Sequence, residues 1–227
     1  MSLEILPDRR AAPSVEAHDR MSSGNAEADH ILGGGFPSDS INIIMGHPGS
    51  GKTIFAEQLI FHNADAERPI LYFTTLSEPL PKIVRYLQGF SFFDEDKLGT
   101  QIMYEDIGPQ LAQDGASALI PVLEDAIRNL SPKIIVIDSF KALADLLPDR
   151  AAWRRTLDAV AGMLTAYETT TFLVGEYTTT MMNDLPEFAV ADGIVDVSRV
   201  ERGTRDGLAL LREVHLLASA YGWAEAD

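Results

Sequence analysis

A strand-like run and a glycine-rich loop meet at residues 41–53, which read Ile41-Asn42-Ile43-Ile44-Met45-Gly46-His47-Pro48-Gly49-Ser50-Gly51-Lys52-Thr53. The last eight residues match the pattern G-x-x-x-x-G-K-[ST] in full. Glycines at these positions let successive main-chain N–H groups turn towards phosphate oxygens. The alternative is a glycine-rich turn that merely packs, but a strand directly before the loop and a helix directly after it favour phosphate binding. The stretch therefore predicts a phosphate-binding loop in an α/β domain.

The chemistry assigns a role to each part of this loop. The helix that begins near Lys52 adds unpaired N–H donors and a positive dipole end. Lys52 is expected to reach the β- and γ-phosphates, and the Thr53 hydroxyl is expected to bind Mg²⁺. The residues alone leave ATP and GTP open, although the chain has no guanine-reading N-K-x-D motif. We expect ATP with Mg²⁺ as the ligand.

Apolar runs alternate with helical patterns along the rest of the chain. The predicted strands are Ile41–Met45, Ile70–Thr74, Gln101–Tyr104, Ile134–Ile137, Thr171–Val174 and Ile194–Val197, with a less clear run at Leu208–Leu217. Amphipathic stripes predict helices after the loop, across Leu119–Leu130 and around Leu157–Leu164, and Pro121 must either open the second helix or kink it. Short runs with little alternation indicate strands buried on both faces. The pattern predicts a doubly wound, three-layer α/β domain with a mostly parallel central sheet.

Composition narrows the class of protein. The 227 residues carry a formal charge of −16, and no Lys or Arg lies between Arg155 and Arg199, so nucleic acid is not a favoured partner. No apolar run is long enough to span a bilayer, and there is no cysteine, which fits a cytoplasmic protein. Residues 1–20 lack periodicity and predict a flexible N-terminal arm, followed by one domain over residues 21–227.

Acidic residues at strand ends supply the metal and water side of the site. Asp138 ends the apolar run Ile134–Ile137, as in a strand that delivers a carboxylate to Mg²⁺, although a strand-end turn could also explain it. Hydrolysis needs a second carboxylate to orient water, and both Glu78 and Glu176 follow predicted strands. The carboxyl ends of parallel strands form the ligand edge of such sheets. We favour Glu78 and keep Glu176 as the alternative.

Three motifs in this chain resemble those of a known family. The resemblance covers about residues 22–200. Its motifs are Ser23-Gly24-Asn25 through Asp29 with Leu32-Gly33-Gly34-Gly35-Phe36-Pro37, then Ile137-Asp138-Ser139-Phe140, then Pro186-Glu187-Phe188 through Asp192-Gly193-Ile194. They resemble the motifs of the single-domain relatives of the circadian clock ATPase KaiC within the RecA superfamily. The first family motif is T-G-x-x-x-L-D-x-x-L-G-G-G-x-P, and Ala28 stands where the family prefers Leu. The resemblance implies a RecA-like P-loop NTPase core, ATP and Mg²⁺ as ligands, and a homo-oligomer, commonly a hexameric ring with ATP between subunits.

Departures from the family bear on activity. Two adjacent glutamates usually follow the second strand, and here the pair is Ser77-Glu78. The positions that accept phosphate in the clock kinase match Phe188 and Ala189, which have no hydroxyl, so the resemblance argues against a clock-type autokinase. The late basic K-x-R-G segment is matched only loosely, by residues 212–218, where Arg212 and His215 are the basic residues.

Three functional hypotheses follow from these observations. The first is a slowly hydrolysing, oligomeric ATPase that regulates a partner protein the sequence does not identify. The second is a nucleotide-sensing module that binds ATP with little or no hydrolysis, favoured by Ser77 and by the missing late basic pair. The third is a recombinase or helicase, which has the right fold but the wrong charge.

Overall fold

Seven strands form the central sheet in a computed structural model that describes residues 19–75, 80–115, 118–145, 149–204 and 207–219. Side chains are described up to residue 198, except that of Asp145. The strands are β1 (Arg20–Met21), β2 (Phe36–Pro37), β3 (Ile41–Met45), β4 (Ile70–Thr74), β5 (Ile102–Asp106), β6 (Ile134–Asp138), β7 (Thr170–Val174), β8 (Gly193–Thr204) and β9 (Gly207–Ser219). The helices are α1 (Ala26–Ile31), α2 (Lys52–Asn63), α3 (Leu80–Leu87), α4 (Gly108–Asp114), α5 (Leu119–Leu130), α6 (Phe140–Asp145) and α7 (Arg150–Ala166).

The sheet is parallel except at one edge. Its order is β5-β4-β6-β7-β3-β8-β9, and only β8 and β9 run antiparallel to each other, while β1 and β2 form a separate two-stranded sheet. The carboxyl ends of β3, β4, β6 and β7 therefore lie along one edge of the sheet, and the loops that follow these strands begin there. This edge is where ligands bind in open α/β sheets.

Two apolar cores hold the three layers together, because alternate strand residues point to opposite faces. On one face, residues such as Ile43 and Ile135 pack with α5 and α7; on the other, residues such as Ile44 and Val136 pack with α2. Every residue of β3, β4 and β7 is buried. This burial explains why their sequences are mostly apolar.

The motif at residues 22–29 anchors the start of the domain to α2. The Asn25 side chain caps α1 by accepting hydrogen bonds from the main-chain N–H groups of Glu27 and Ala28. Gln58 Nε2 donates to the Gly24 carbonyl at 2.7 Å, and Asn63 Nδ2 donates to the Ser22 carbonyl, also at 2.7 Å. The side chains and turns at residues 22–29 thus fix the position of α2, the helix that carries Lys52 and Thr53.

The predicted α/β class, with a three-layer RecA-like core and a mostly parallel sheet, is confirmed. The run at Leu208–Leu217 is the strand β9, which pairs antiparallel with β8. Pro121 lies in the first turn of α5, so it opens that helix and does not kink it. Residues 1–18 of the predicted arm lie outside the described residues, and the division at residue 20 stays a prediction.

Candidate nucleotide site

The loop between β3 and α2 has the backbone that phosphate binding requires. Gly46, Gly49 and Gly51 have φ values of 146°, 74° and 104°, which side-chain-bearing residues rarely adopt. A Cβ atom at Gly46 would stand 2.3 Å from the carbonyl oxygen of Val197 in β8. Space and backbone together therefore require glycine at the first position of the loop.

Lys52 lies at the centre of a group of carboxylates. Its Nζ atom donates to the His47 carbonyl oxygen at 2.9 Å. Burial lowers the pKa of the Lys52 ammonium, while the nearby charges of Glu176, Asp138 and Asp196 act to raise it. The Lys52 side chain therefore lies over the loop. Phosphate oxygens bound there would replace the His47 carbonyl oxygen as the acceptor of its hydrogen bond.

Thr53 and Asp138 meet across the fold although they are 85 residues apart in the sequence. The Thr53 hydroxyl donates to Asp138 Oδ2 at 2.7 Å, which brings a hydroxyl and a carboxylate oxygen together beside the loop. Mg²⁺ prefers oxygen ligands and is commonly held by one or two protein groups plus substrate phosphates. The predicted pair therefore fits a magnesium ion in chemistry and position.

A buried polar layer behind Asp138 was not predicted from the sequence. The Tyr72 hydroxyl donates to Asp138 Oδ2 at 2.9 Å, and the Tyr104 hydroxyl donates to Glu57 Oε2 at 2.5 Å. Burial raises the pKa of the Glu57 carboxyl to about 8, with a further contribution from Asp138 and an opposing one from the Tyr104 hydrogen bond. A glutamate on the sheet-facing side of α2, four residues after Thr53, is the sequence feature that could have revealed it.

The two candidates for orienting water differ in what the structure describes. Ser77 and Glu78 lie outside the described residues. Glu176 follows β7, its side chain is exposed, and its charge acts on Lys52. The structure thus brings Glu176 to the loop, and Glu78 stays a prediction from the sequence.

Other candidate positions lie apart from the loop. A cavity of about 540 Å³ lies beside the start of α7, with Arg150, Arg154 and Phe188 in its wall, and none of its lining residues belongs to the loop. Trp153 is buried and donates from Nε1 to Glu187 Oε2 at 3.3 Å, so its indole packs in the core.

Within the described ranges, no three His, Cys, Asp or Glu residues are grouped to hold a metal. No helix in the same ranges could cross a bilayer.

Several known proteins are similar in sequence to this chain. The family model for the KaiC ATPase matches residues 21–215. A UPF0273 protein of Methanopyrus kandleri is 30% identical over 175 residues, which cover 70% of this chain and 68% of that protein. The circadian clock oscillator protein KaiC of Thermosynechococcus vestitus is 27% identical over 214 residues, which cover 88% of this chain but 41% of that protein.

A solved structure supports the fold independently. The crystal structure of a KaiC-like protein from the archaeon Pyrococcus horikoshii matches with a TM-score of 0.71 at 24% identity, covering 89% of each chain. At that identity the likeness concerns the fold, whereas the family model spans most of the sequence. The chain therefore belongs to the KaiC family of ATPases.

Proposed function

We propose that this protein binds ATP with Mg²⁺ at Gly46–Thr53, hydrolyses it slowly, and acts as an oligomeric regulator. The observation that carries the proposal is the convergence of three groups: a loop whose glycines have positive φ values, the Lys52 ammonium, and the Thr53–Asp138 pair at 2.7 Å. Each group matches a part of Mg²⁺-ATP. Together they offer hydrogen-bond donors, a positive charge and metal ligands to a polyphosphate.

The roles of the residues follow from their chemistry. The loop amides hold the phosphates, and Lys52 exchanges its His47 carbonyl for phosphate oxygens. Thr53 and Asp138 hold Mg²⁺ directly or through its water shell. A bound Mg²⁺ would supply positive charge that neutralises the phosphate oxygens. Glu78, or Glu176 as the alternative, orients the attacking water.

Calorimetry with ATP and MgCl₂ tests the binding site. Lys52→Ala should weaken ATP binding by about tenfold to a hundredfold or more, because a hydrogen bond to a charged group contributes about 1.5–3 kcal/mol. Lys133→Ala is the matched control. Lys133 precedes β6, at the end of that strand opposite Asp138, and pairs with Asp65 at 3.0 Å. Equal affinity in the Lys52 variant and wild type would refute the assignment.

Turnover and assembly form a second test. We propose a homo-oligomer, such as a hexameric ring, that acts in the cytoplasm. It binds a regulatory partner protein that is not identified. Mass measurement with and without Mg²⁺-ATP should show ligand-dependent assembly, and phosphate release per chain should rise as the oligomer forms. ATP binding without phosphate release from any assembly would exclude the ATPase.

A nucleotide-sensing module is the second candidate function. It is favoured by Ser77, which stands where the family resemblance leads us to expect a glutamate. Ser77→Glu should raise phosphate release strongly if the natural chain binds ATP without hydrolysing it. An unchanged rate in this variant would favour the slow ATPase.

A further inference from the structure

A layer of buried hydroxyl and carboxyl groups lies beneath the proposed magnesium site, on the face of the sheet that packs against α2. Tyr72 is 2% exposed and Glu57 is 1% exposed. An apolar core in this position would need neither a phenol nor an acid. Polar groups buried this deeply are expensive unless they are hydrogen-bonded, so their partners indicate what they do.

We propose that Tyr72 is a positioning residue for the Mg²⁺-binding carboxylate of Asp138, with Tyr104 and Glu57 holding Tyr72 in place. This inference rests on the proposed function. It adds a group that does not touch the nucleotide but fixes the orientation of one that does.

Strand register explains why a tyrosine reaches Asp138. Tyr72 in β4 pairs with Val136 in β6, and Asp138 lies two residues further along the same strand. Because side chains two residues apart share a face, Tyr72 and Asp138 point to the same side of the sheet as diagonal neighbours. The phenol ring spans this diagonal, and its hydroxyl arrives 2.9 Å from Asp138 Oδ2.

Two donors then converge on one carboxylate oxygen from different elements. The Thr53 hydroxyl reaches Oδ2 from α2 at 2.7 Å, and the Tyr72 hydroxyl reaches it from β4. A carboxylate that rotates about its bond to Cβ would break both contacts. The two hydrogen bonds therefore hold Asp138 in one orientation before Mg²⁺ arrives, which is how outer groups tune metal ligands.

The rest of the layer supports Tyr72 from behind. Tyr104 in β5 pairs directly with Tyr72, and their ring centroids are 5.1 Å apart. The Tyr104 hydroxyl is held in turn by Glu57 at 2.5 Å, one helical turn after Thr53. One side of α2 thus contacts both ends of the layer. Thr53 donates to Asp138 at one end, and Glu57 accepts from Tyr104 at the other.

The ionisation of these groups agrees with such a role. The Asp138 carboxylate can only accept a hydrogen bond, so the Tyr72 hydroxyl is the donor in their contact. Burial raises the pKa of the Glu57 carboxyl to about 8, so this group is mostly protonated at neutral pH. The layer therefore presents a hydrogen-bond donor to Asp138 and mostly avoids a second negative charge behind it.

The test is a magnesium titration of the Tyr72→Phe variant in the presence of a fluorescent ATP analogue. Removing the hydroxyl should raise the Mg²⁺ concentration for half-maximal nucleotide binding by about 10–100-fold, as is typical for loss of an outer partner of a metal ligand. Nucleotide affinity in EDTA should stay unchanged, because the loop and Lys52 are untouched. Tyr86→Phe, at a tyrosine 64% exposed in α3, is the matched control.

A double-mutant cycle with Asp138→Asn separates positioning from general damage. If Tyr72 acts through Asp138, Tyr72→Phe should change the Mg²⁺ dependence little in the Asp138→Asn background. An equal loss in both backgrounds, or an equal loss in EDTA, would overturn the inference, and thermal unfolding of each variant verifies that it is folded. If wild type and Tyr72→Phe need the same Mg²⁺ concentration for half-maximal nucleotide binding, the role of Tyr72 is refuted while the proposed function stands. If wild type shows no Mg²⁺-dependent nucleotide binding, the proposed function falls with it.

Discussion

Replacing Glu57 with glutamine should remove a pH dependence from the stability of the protein. Burial raises the pKa of the Glu57 carboxyl from an ordinary value of 4.5 to about 8, and the Asp138 charge acts in the same direction. The folded protein therefore keeps a proton that the unfolded chain releases above about pH 4.5. Glutamine has the shape of the protonated acid, can accept the Tyr104 hydrogen bond, and carries no charge at any pH.

The raised pKa fixes both the sign and the size of the effect. Below about pH 4.5 the folded and unfolded states both hold the proton, and the stability associated with the buried acid is fully present. As the pH rises to about 8, the unfolded chain binds fewer protons, and the free energy of unfolding falls by about 1.4 kcal/mol per pH unit. The full loss is on the order of 5 kcal/mol, since the pKa moves from 4.5 to about 8.

Urea unfolding of wild type and Glu57→Gln between about pH 5 and pH 8 measures this difference. The variant should match wild type closely at the acidic end and exceed it by several kcal/mol at the basic end. Glu67→Gln, at an exposed glutamate, controls for the loss of one acidic residue. A gap between Glu57→Gln and wild type that stays constant across this range would refute the buried, protonated state of Glu57.

Two further substitutions test the loop and the segment that anchors α2. Gly46→Ala should abolish ATP binding in calorimetry, because its Cβ would stand 2.3 Å from the Val197 carbonyl oxygen and its φ of 146° is strained for alanine; wild-type affinity would contradict this geometry. Asn25→Ala should lower the free energy of unfolding by about 1 kcal/mol in urea, since it removes the cap of α1. An unchanged midpoint and slope would show that the cap does not stabilise the domain.

The phosphate-binding loop and Asp138 could be predicted because each is identified by a short stretch of sequence. The strands Ile41–Met45 and Ile70–Thr74 have the predicted bounds, since a fully buried strand is an apolar run that stops where the chain leaves the core. Thr53 and Asp138 were each predicted to bind Mg²⁺, Thr53 from the loop pattern and Asp138 from an apolar strand that ends in an acid. The fold brings these two distant residues into contact at 2.7 Å.

The contacts within the layer behind Asp138 could not be predicted, because they depend on register and strand order, although a glutamate at position 57 of the helix hints at a buried polar group. Tyr72, Tyr104 and Glu57 come together only because β4 lies between β5 and β6, and because α2 turns one side towards them. Hydrophobic pattern treats a tyrosine in a buried strand as one more large apolar residue. Its hydroxyl acquires a role only when the diagonal neighbour on the next strand is known.

The charge of the site explains why Mg²⁺ is central to the proposal. Lys52 is close enough to Glu176, Asp138 and Asp196 for all three charges to act on its pKa. A triphosphate brings further negative charge to this same place, in a chain whose formal charge is already −16. One ammonium group cannot balance this charge, whereas a divalent cation held by Thr53 and Asp138 adds two positive charges beside the phosphates. Features that keep Asp138 oriented and Glu57 uncharged should therefore control the Mg²⁺-dependent part of nucleotide affinity.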